Sequence, residues 1–77
     1  MTGLVETIAK ALVDNPELVE VTSNVMEQEE VVQLKVADGD MGKVIGKQGR
    51  IAKALRTVVK AAAIKENKKV VVEIISE

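Results

Sequence analysis

Two glycines separated by two polar residues form the part of this sequence whose residue types could do chemistry. The order is Gly46, Lys47, Gln48, Gly49, Arg50. Glycine takes up left-handed backbone dihedrals without penalty, so we expect Gly46 to end one helix and Gly49 to open the next. The amides at that opening point outward, at the positive end of the second helix's dipole, where an anion is stabilised. With Lys47 and Arg50 beside them, they predict a loop that binds a phosphodiester chain, and Gln48 adds a hydrogen-bond donor.

Other glycine motifs that bind phosphates do not fit this stretch. A P-loop needs a glycine five residues before its Gly-Lys pair and a Ser or Thr after it, whereas Met41 and Gln48 occupy those positions. The dinucleotide fingerprint G-x-G-x-x-G occurs nowhere in the chain. The remaining alternative for the two glycines is a helix-turn-helix connector without a ligand.

The charged residues are segregated along the chain. The net charge is −1, which by itself argues against a nucleic-acid binder. Residues 1–42, however, carry a net charge of −7, whereas residues 43–65 carry +7 and contain no acidic residue. We therefore expect Lys43 and Lys53 to extend the positive field of the loop, while Arg56 and Lys60, further along the helix, steer a polyanion from a distance. The alternative for this basic stripe is an ordinary solvated helix face.

The first half of the chain predicts one helix and two strands. Apolar residues recur at helical spacing over residues 3–14, after Thr2 as a possible cap, and Asn15-Pro16 stops the pattern. Alternating apolar and polar residues around Val19–Val21 and over residues 32–36 predict two strands, joined as a hairpin through residues 27–30.

The second half supplies the elements that flank the glycine loop. Asp40 is placed to cap a short helix that runs to Ile45. A second helix is predicted from Arg50 to about Lys65, and a β-branched run over residues 70–75 predicts a last strand. The pattern puts these apolar residues on one face of the second helix: Ile51, Leu55, Val58, Val59 and Ala62.

Composition excludes several function classes. The 77 residues include no His and no Cys, so the usual nucleophile and base pairs cannot form, and we predict no catalytic residue. Asp38 and Asp40 lack the further oxygen ligands of a metal loop, so we predict no metal site. The chain contains no Phe, Tyr or Trp, whereas most single-strand readers stack bases on such residues. No signal peptide or membrane span is recognised, so a soluble intracellular protein with an aliphatic core is expected.

The stretch Val44–Ile51, followed by Ala54 and Leu55, resembles the GXXG core of KH domains, which clamp about four nucleotides of a single strand. The element order is similar to the type II KH arrangement, and the length resembles small bacterial single-KH proteins of the KhpA type. The resemblance implies one α/β (α+β two-layer) domain over residues 1–77, in which three helices cover one face of a three-stranded sheet. It also implies that Ile45 and Ile51 floor an apolar groove for bases.

The same resemblance implies a biological setting. The resemblance implies a cytoplasmic protein that binds single-stranded RNA with low sequence specificity. It implies no membrane association, no cofactor and no small-molecule substrate. An RNA chaperone linked to cell elongation and envelope growth is implied, either as a homodimer or paired with a larger KH protein of the KhpB type. Two alternatives stay open: a single-stranded DNA binder, or a dimerisation module that docks a partner through Val71 and Ile75 while RNA contact is incidental.

Overall fold

Helices and strands follow one another in the predicted order, α-β-β-α-α-β. The computed structural model describes residues 1–76, so the predicted domain of residues 1–77 extends one residue beyond them. The helices are α1 (Thr2–Leu12), α2 (Met41–Ile45) and α3 (Arg50–Lys65), and the strands are β1 (Glu20–Met26), β2 (Glu29–Val36) and β3 (Lys69–Ser76). Single 3-10 turns cover Pro16–Leu18, Asp38–Asp40 and Lys47–Gly49. The predicted α+β class is confirmed.

The three strands form one mixed sheet in the order β1-β2-β3. The predicted antiparallel pairing of the first two strands is confirmed, with Ser23 opposite Val32. The connection is shorter than the predicted residues 27–30, because Met26 already pairs with Glu29. The strands β2 and β3 are parallel, with Val32 opposite Val72. A parallel pair needs a crossover connection, and here α2, the glycine loop and α3 supply it. The topology therefore places the glycine loop between two helices that bridge the two strands.

An aliphatic core lies between the sheet and the helices. On β2 the side chains of Val32, Leu34 and Val36 are fully buried, whereas Gln33 between them is exposed. Because successive strand residues point to opposite faces, only one face of the sheet is covered. The helices contribute the following buried residues to this core: Val5 and Ala9 from α1, Val44 from α2, and Leu55 and Val59 from α3.

Three details of α1 and α3 differ from the sequence-based expectation. Met1, not Thr2, precedes the first turn of α1, and no side chain caps it. The helix ends at Leu12 instead of residue 14, and Val13 is already extended. Val58 of α3 is 47% exposed although the helical pattern put it on the apolar face. The buried face of α3 comprises Ala52, Leu55, Val59 and Ala63, so it is rotated about the helix axis away from Val58.

Within residues 1–76, the helices are all too short or too polar to cross a membrane.

Candidate nucleic-acid interface

The loop between α2 and α3 has the backbone conformation that its two glycines predict. Gly46 ends α2, with φ 77° and ψ 174°, and its amide donates to the carbonyl of Gly42 at 2.9 Å. Gly49 precedes α3 with left-handed dihedrals, φ 74° and ψ 13°. Gln48 between them also has a positive φ of 58°. The chain thus turns sharply from one helix into the next within four residues.

The two glycines have different surroundings. A Cβ at Gly46 would lie 2.6 Å from Cγ1 of Ile51, so the bare backbone of Gly46 packs against that side chain. A Cβ at Gly49 would find no atom within 4 Å. Gly46 is therefore required by packing inside the protein. Gly49 leaves the outer side of the loop open, where a ligand could approach the backbone.

The first turn of α3 lacks a side-chain cap. Gly49 stands at the capping position and has no side chain to accept from the amides that follow. Such amides at the start of a helix have no partner within it, and they lie at its positive end. The amide of Gly49 is used within the loop, where it donates to the carbonyl of Gly46 at 3.2 Å. The amide of Arg50 likewise donates to the carbonyl of Lys47. What the start of α3 offers an anion beside the loop is therefore the positive end of its dipole, which no acidic side chain caps.

The polar side chains of the loop are exposed. Lys47, Gln48 and Arg50 all lie at the surface, and Nη2 of Arg50 donates to Oε1 of Gln48 at 3.5 Å. The amide nitrogen of Gln48 is left to donate elsewhere. Lys53, one turn into α3, is exposed as well. Among residues 1–76, no acidic oxygen lies within ion-pair distance of Lys47, Arg50 or Lys53.

Lys43 differs from these basic residues. Its Nζ lies 3.0 Å from Oδ2 of Asp14, in the segment after α1. The hydrogen bond to Asp14, helped by the charges of Asp14 and Asp40, raises the pKa of Lys43 above its ordinary value. Lys43 is therefore always charged near neutral pH, but part of its field is neutralised by Asp14. Its predicted contribution to the positive field of the loop is smaller than the sequence suggested.

Ile45 and Ile51 lie on the two sides of the loop. Both are half-buried, and Ile45 packs against the core. Val44 beside it is fully buried. The structure thus leaves part of each isoleucine accessible next to the glycines, as a groove floor requires.

Arg56 has a contact that the sequence did not indicate. Its Nε donates to the carbonyl of Val72 at 3.4 Å, so the side chain crosses from α3 to β3. Because β3 is an edge strand, this bond joins α3 to the edge of the sheet. No local pattern relates two residues on different elements in this way. Arg56 therefore lines the wall between α3 and the sheet edge, in addition to contributing charge.

The predicted cap of α2 is wrong in its chemistry. Asp40 does precede α2, but no side-chain hydrogen bond caps that helix. The carboxylate is 2% exposed and accepts instead from the backbone amides of Asp14 at 3.2 Å and Asn15 at 3.1 Å. A cap would have been a contact within α2, whereas this one joins α2 to the segment after α1.

Comparison with known proteins agrees with this geometry. A family model described as "KhpA/KhpB, KH domain" matches residues 2–74. Over 75 residues, 97% of this chain, the sequence is 71% identical to "RNA-binding protein KhpA" of Clostridium perfringens and 68% identical to that of Clostridium acetobutylicum, covering all of each. The protein of the same name from Aquifex aeolicus is 51% identical over 95% of its length. These names describe binding and no catalysis, in agreement with the prediction of a protein that is not an enzyme. The chain therefore belongs to the KhpA/KhpB family of KH-domain proteins.

Proposed function

We propose that this protein binds single-stranded RNA, with its phosphates against the loop Gly46–Gly49 and its bases over the groove beside Ile45 and Ile51. The observation that carries the proposal is the open outer side of Gly49, next to the uncapped first turn of α3. Bare backbone, the positive end of the α3 dipole and two cations, Lys47 and Arg50, that form no ion pair within residues 1–76 meet at that point. The names of the relatives support RNA as the ligand.

The expected binding is weak in sequence preference. Phosphate contacts fix the position of a strand but carry no base information. The chain has no aromatic residue on which a base could stack, so apolar contact with Ile45 and Ile51 would hold the bases. Lys47 and Arg50 would neutralise phosphates directly, Gln48 would donate a hydrogen bond, and Lys53 would extend the field. Such a site reads mainly the shape of a single strand.

A double substitution in the loop tests the proposal. Changing Lys47 and Gln48 to Asp should abolish RNA binding without unfolding the protein, because both side chains are exposed and the new charges repel phosphate. The matched control changes Asn67 and Lys68 to Asp, which alters the net charge equally in the exposed turn after α3. Asn67 has a φ of 55°, and Asp tolerates that conformation. Circular dichroism would monitor folding, and fluorescence anisotropy with a labelled RNA oligomer would measure affinity.

The outcomes separate the possibilities. RNA affinity that survives in a folded loop variant, or that falls equally in both variants, contradicts the clamp. The same titrations with single-stranded DNA of equal sequence distinguish an RNA binder from a general single-strand binder. An isolated protein that binds neither would favour the alternative, in which the fold serves mainly to dock a partner protein.

The remaining proposals rest on the family resemblance. They comprise an RNA chaperone in the cytoplasm, acting in post-transcriptional regulation linked to cell elongation and envelope growth. The protein would pair with itself or with a larger KH protein of the KhpB type, and the description of the family model supports such a partner. Exposed apolar side chains on α3 and β3, including Val58 and Val71, offer surface for this pairing.

A further inference from the structure

Asp40 is the one charged side chain among residues 1–76 that is buried. A carboxylate taken out of water is costly unless hydrogen bonds satisfy it. Asp40 has three such bonds, all from the segment after α1: the amides of Asp14 and Asn15, and the side-chain nitrogen of Asn15 at 3.5 Å. Within the described part of the chain, no buried side-chain nitrogen or oxygen lacks a partner. The hydrogen bonds of the Asp40 carboxylate thus all join it to a segment that is distant in the sequence.

The helix that Asp40 precedes cannot hold itself in place. The helix α2 has five residues, far fewer than the length at which an isolated helix becomes stable in water. Its position must come from tertiary contacts. Those that hold α2 are the apolar contacts of Met41, Val44 and Ile45 with the core and the bonds of Asp40 to Asp14 and Asn15. The ion pair of Lys43 with Asp14 is exposed and contributes little. The polar contacts that fix the start of α2 therefore come mainly from Asp40.

The opposite end of α2 is Gly46, the first residue of the glycine loop. That end has little tolerance for movement, because the backbone of Gly46 packs against Ile51 of α3. A shift of α2 along its axis would therefore change the loop dihedrals or open the contact with Ile51. The position of the loop depends on what holds the start of α2, five residues away.

We infer that Asp40 is a positioning residue for the glycine loop: its carboxylate fixes the start of α2 to Asp14 and Asn15 and thereby sets the geometry in which the loop meets a phosphate. The expected effect on binding rests on the proposed function, because RNA is the ligand proposed above for this loop. Asp40 itself touches no nucleotide. Its loss should weaken RNA binding by about tenfold, by analogy with the loss of an outer-shell partner at a metal site.

The test compares Asp40→Ala with Val32→Ala, which removes buried atoms from the central strand and serves as the destabilised control. Asp40→Asn is the conservative variant, since it keeps one acceptor oxygen. Two quantities are measured where all variants are folded: the dissociation constant for a short single-stranded RNA, and the NMR chemical shifts of the amides of residues 46–50 without RNA. We expect Asp40→Ala to bind about tenfold more weakly and to shift the loop amides, Asp40→Asn to lie between it and wild type, and Val32→Ala to do neither.

The inference is overturned if Asp40→Ala binds RNA more weakly while the chemical shifts of the loop amides are unchanged. It is also overturned if these chemical shifts change while the dissociation constant does not. Equal effects of Asp40→Ala and Val32→Ala mean that Asp40 only stabilises the fold. If Asp40→Ala does not fold, Asp40→Asn is judged by the same criteria. If the wild-type protein binds no RNA, the proposed function fails, and the amide shifts alone decide whether Asp40 positions the loop.

Discussion

Gly46 and Gly49 are the same residue type, but we expect alanine to be far more damaging at Gly46. The dihedrals of Gly46 lie in a region almost restricted to glycine, and Ile51 occupies the space of a Cβ. Strain and overpacking together should lower the free energy of unfolding by about 3 kcal/mol or more. Gly49 has left-handed helical dihedrals and open surroundings, so alanine there should cost about 1–2 kcal/mol. Urea denaturation measures both values.

Similar losses at the two positions would show that Ile51 gives way to a Cβ. RNA binding adds a second contrast at Gly49, where a side chain projects into the open space outside the loop. A folded Gly49→Val protein should bind more weakly than Gly49→Ala, because the branched side chain blocks the approach of a phosphate.

If Lys43 attracts RNA as proposed, Asp14 competes with RNA for it, so we expect Asp14→Asn to strengthen RNA binding. The ion pair between Nζ of Lys43 and Asp14 is exposed, and such pairs are worth only fractions of a kcal/mol. Releasing Lys43 should therefore improve affinity by about twofold to fivefold. Glu17→Gln is the matched control, since it removes one negative charge from an exposed residue without an ion pair among residues 1–76. An equal gain in both variants would mean that net charge alone is responsible.

At the scale of elements, we expect the basic residues of the loop to contact phosphates and those in the second half of α3 to steer the strand from a distance. Lys47 lies in the loop, whereas Lys60 lies in the second half of α3. Replacing Lys47 by Gln should flatten the slope of log affinity against log salt by about 0.7, the value for one single-strand phosphate. Lys60→Gln should leave this slope nearly unchanged and lower the association rate. Titrations at several salt concentrations and stopped-flow mixing measure the two effects. Equal slope changes would place both lysines in contact with the strand.

The sequence predicted the ends of an element correctly where neighbouring residues in the chain determine them. The bounds of α3 were predicted correctly because Gly49 precedes it and a polar turn follows it. The end of α1 was placed two residues too late, because the amides of Asp14 and Asn15 bond to Asp40 instead of continuing the helix. That partner lies 25 residues away, and no local periodicity contains it.

In the candidate site, too, features set by neighbouring residues could be predicted, and features set by distant contacts could not. The loop conformation could be predicted because glycine alone permits it, and the sign of the surrounding charge could be counted from the sequence. The pairing of Lys43 with Asp14 and the bond from Arg56 to Val72 could not, because both join side chains to distant segments. The exposure of Val58 depends on which side of α3 packs against the core, and helical spacing alone does not fix that rotation.

At the scale of the molecule, we expect self-association. The domain is small and has neither a disulfide nor an aromatic core, and Val58, Val71 and Ile75 are 38–47% exposed. A dimer would bring two weak sites to one RNA at high effective concentration, which offsets the acidic first half. Sedimentation equilibrium at micromolar concentration should show a dimer. Val58→Glu would disrupt a contact through α3, and Val71→Glu one through the open sheet face. A wild-type monomer that still binds short RNA tightly would exclude any need for pairing.

The parallel pairing of β2 with β3 has a consequence for synthesis on the ribosome. This ladder joins residues 40 apart in sequence, and β3 is the last element of the described chain. A chain leaves the ribosome with its N-terminus first, and its domains can fold as they emerge. Pairing between strands that are distant in sequence is slow, because a long loop must close first. The hairpin of β1 and β2 can form early, but the apolar face of β2 is only partly covered, by α1, until α3 arrives, and its open edge is unpaired until β3 arrives. We therefore expect the glycine loop to reach its final shape only after β3 has left the ribosome, so that a nascent chain that still lacks β3 cannot hold RNA.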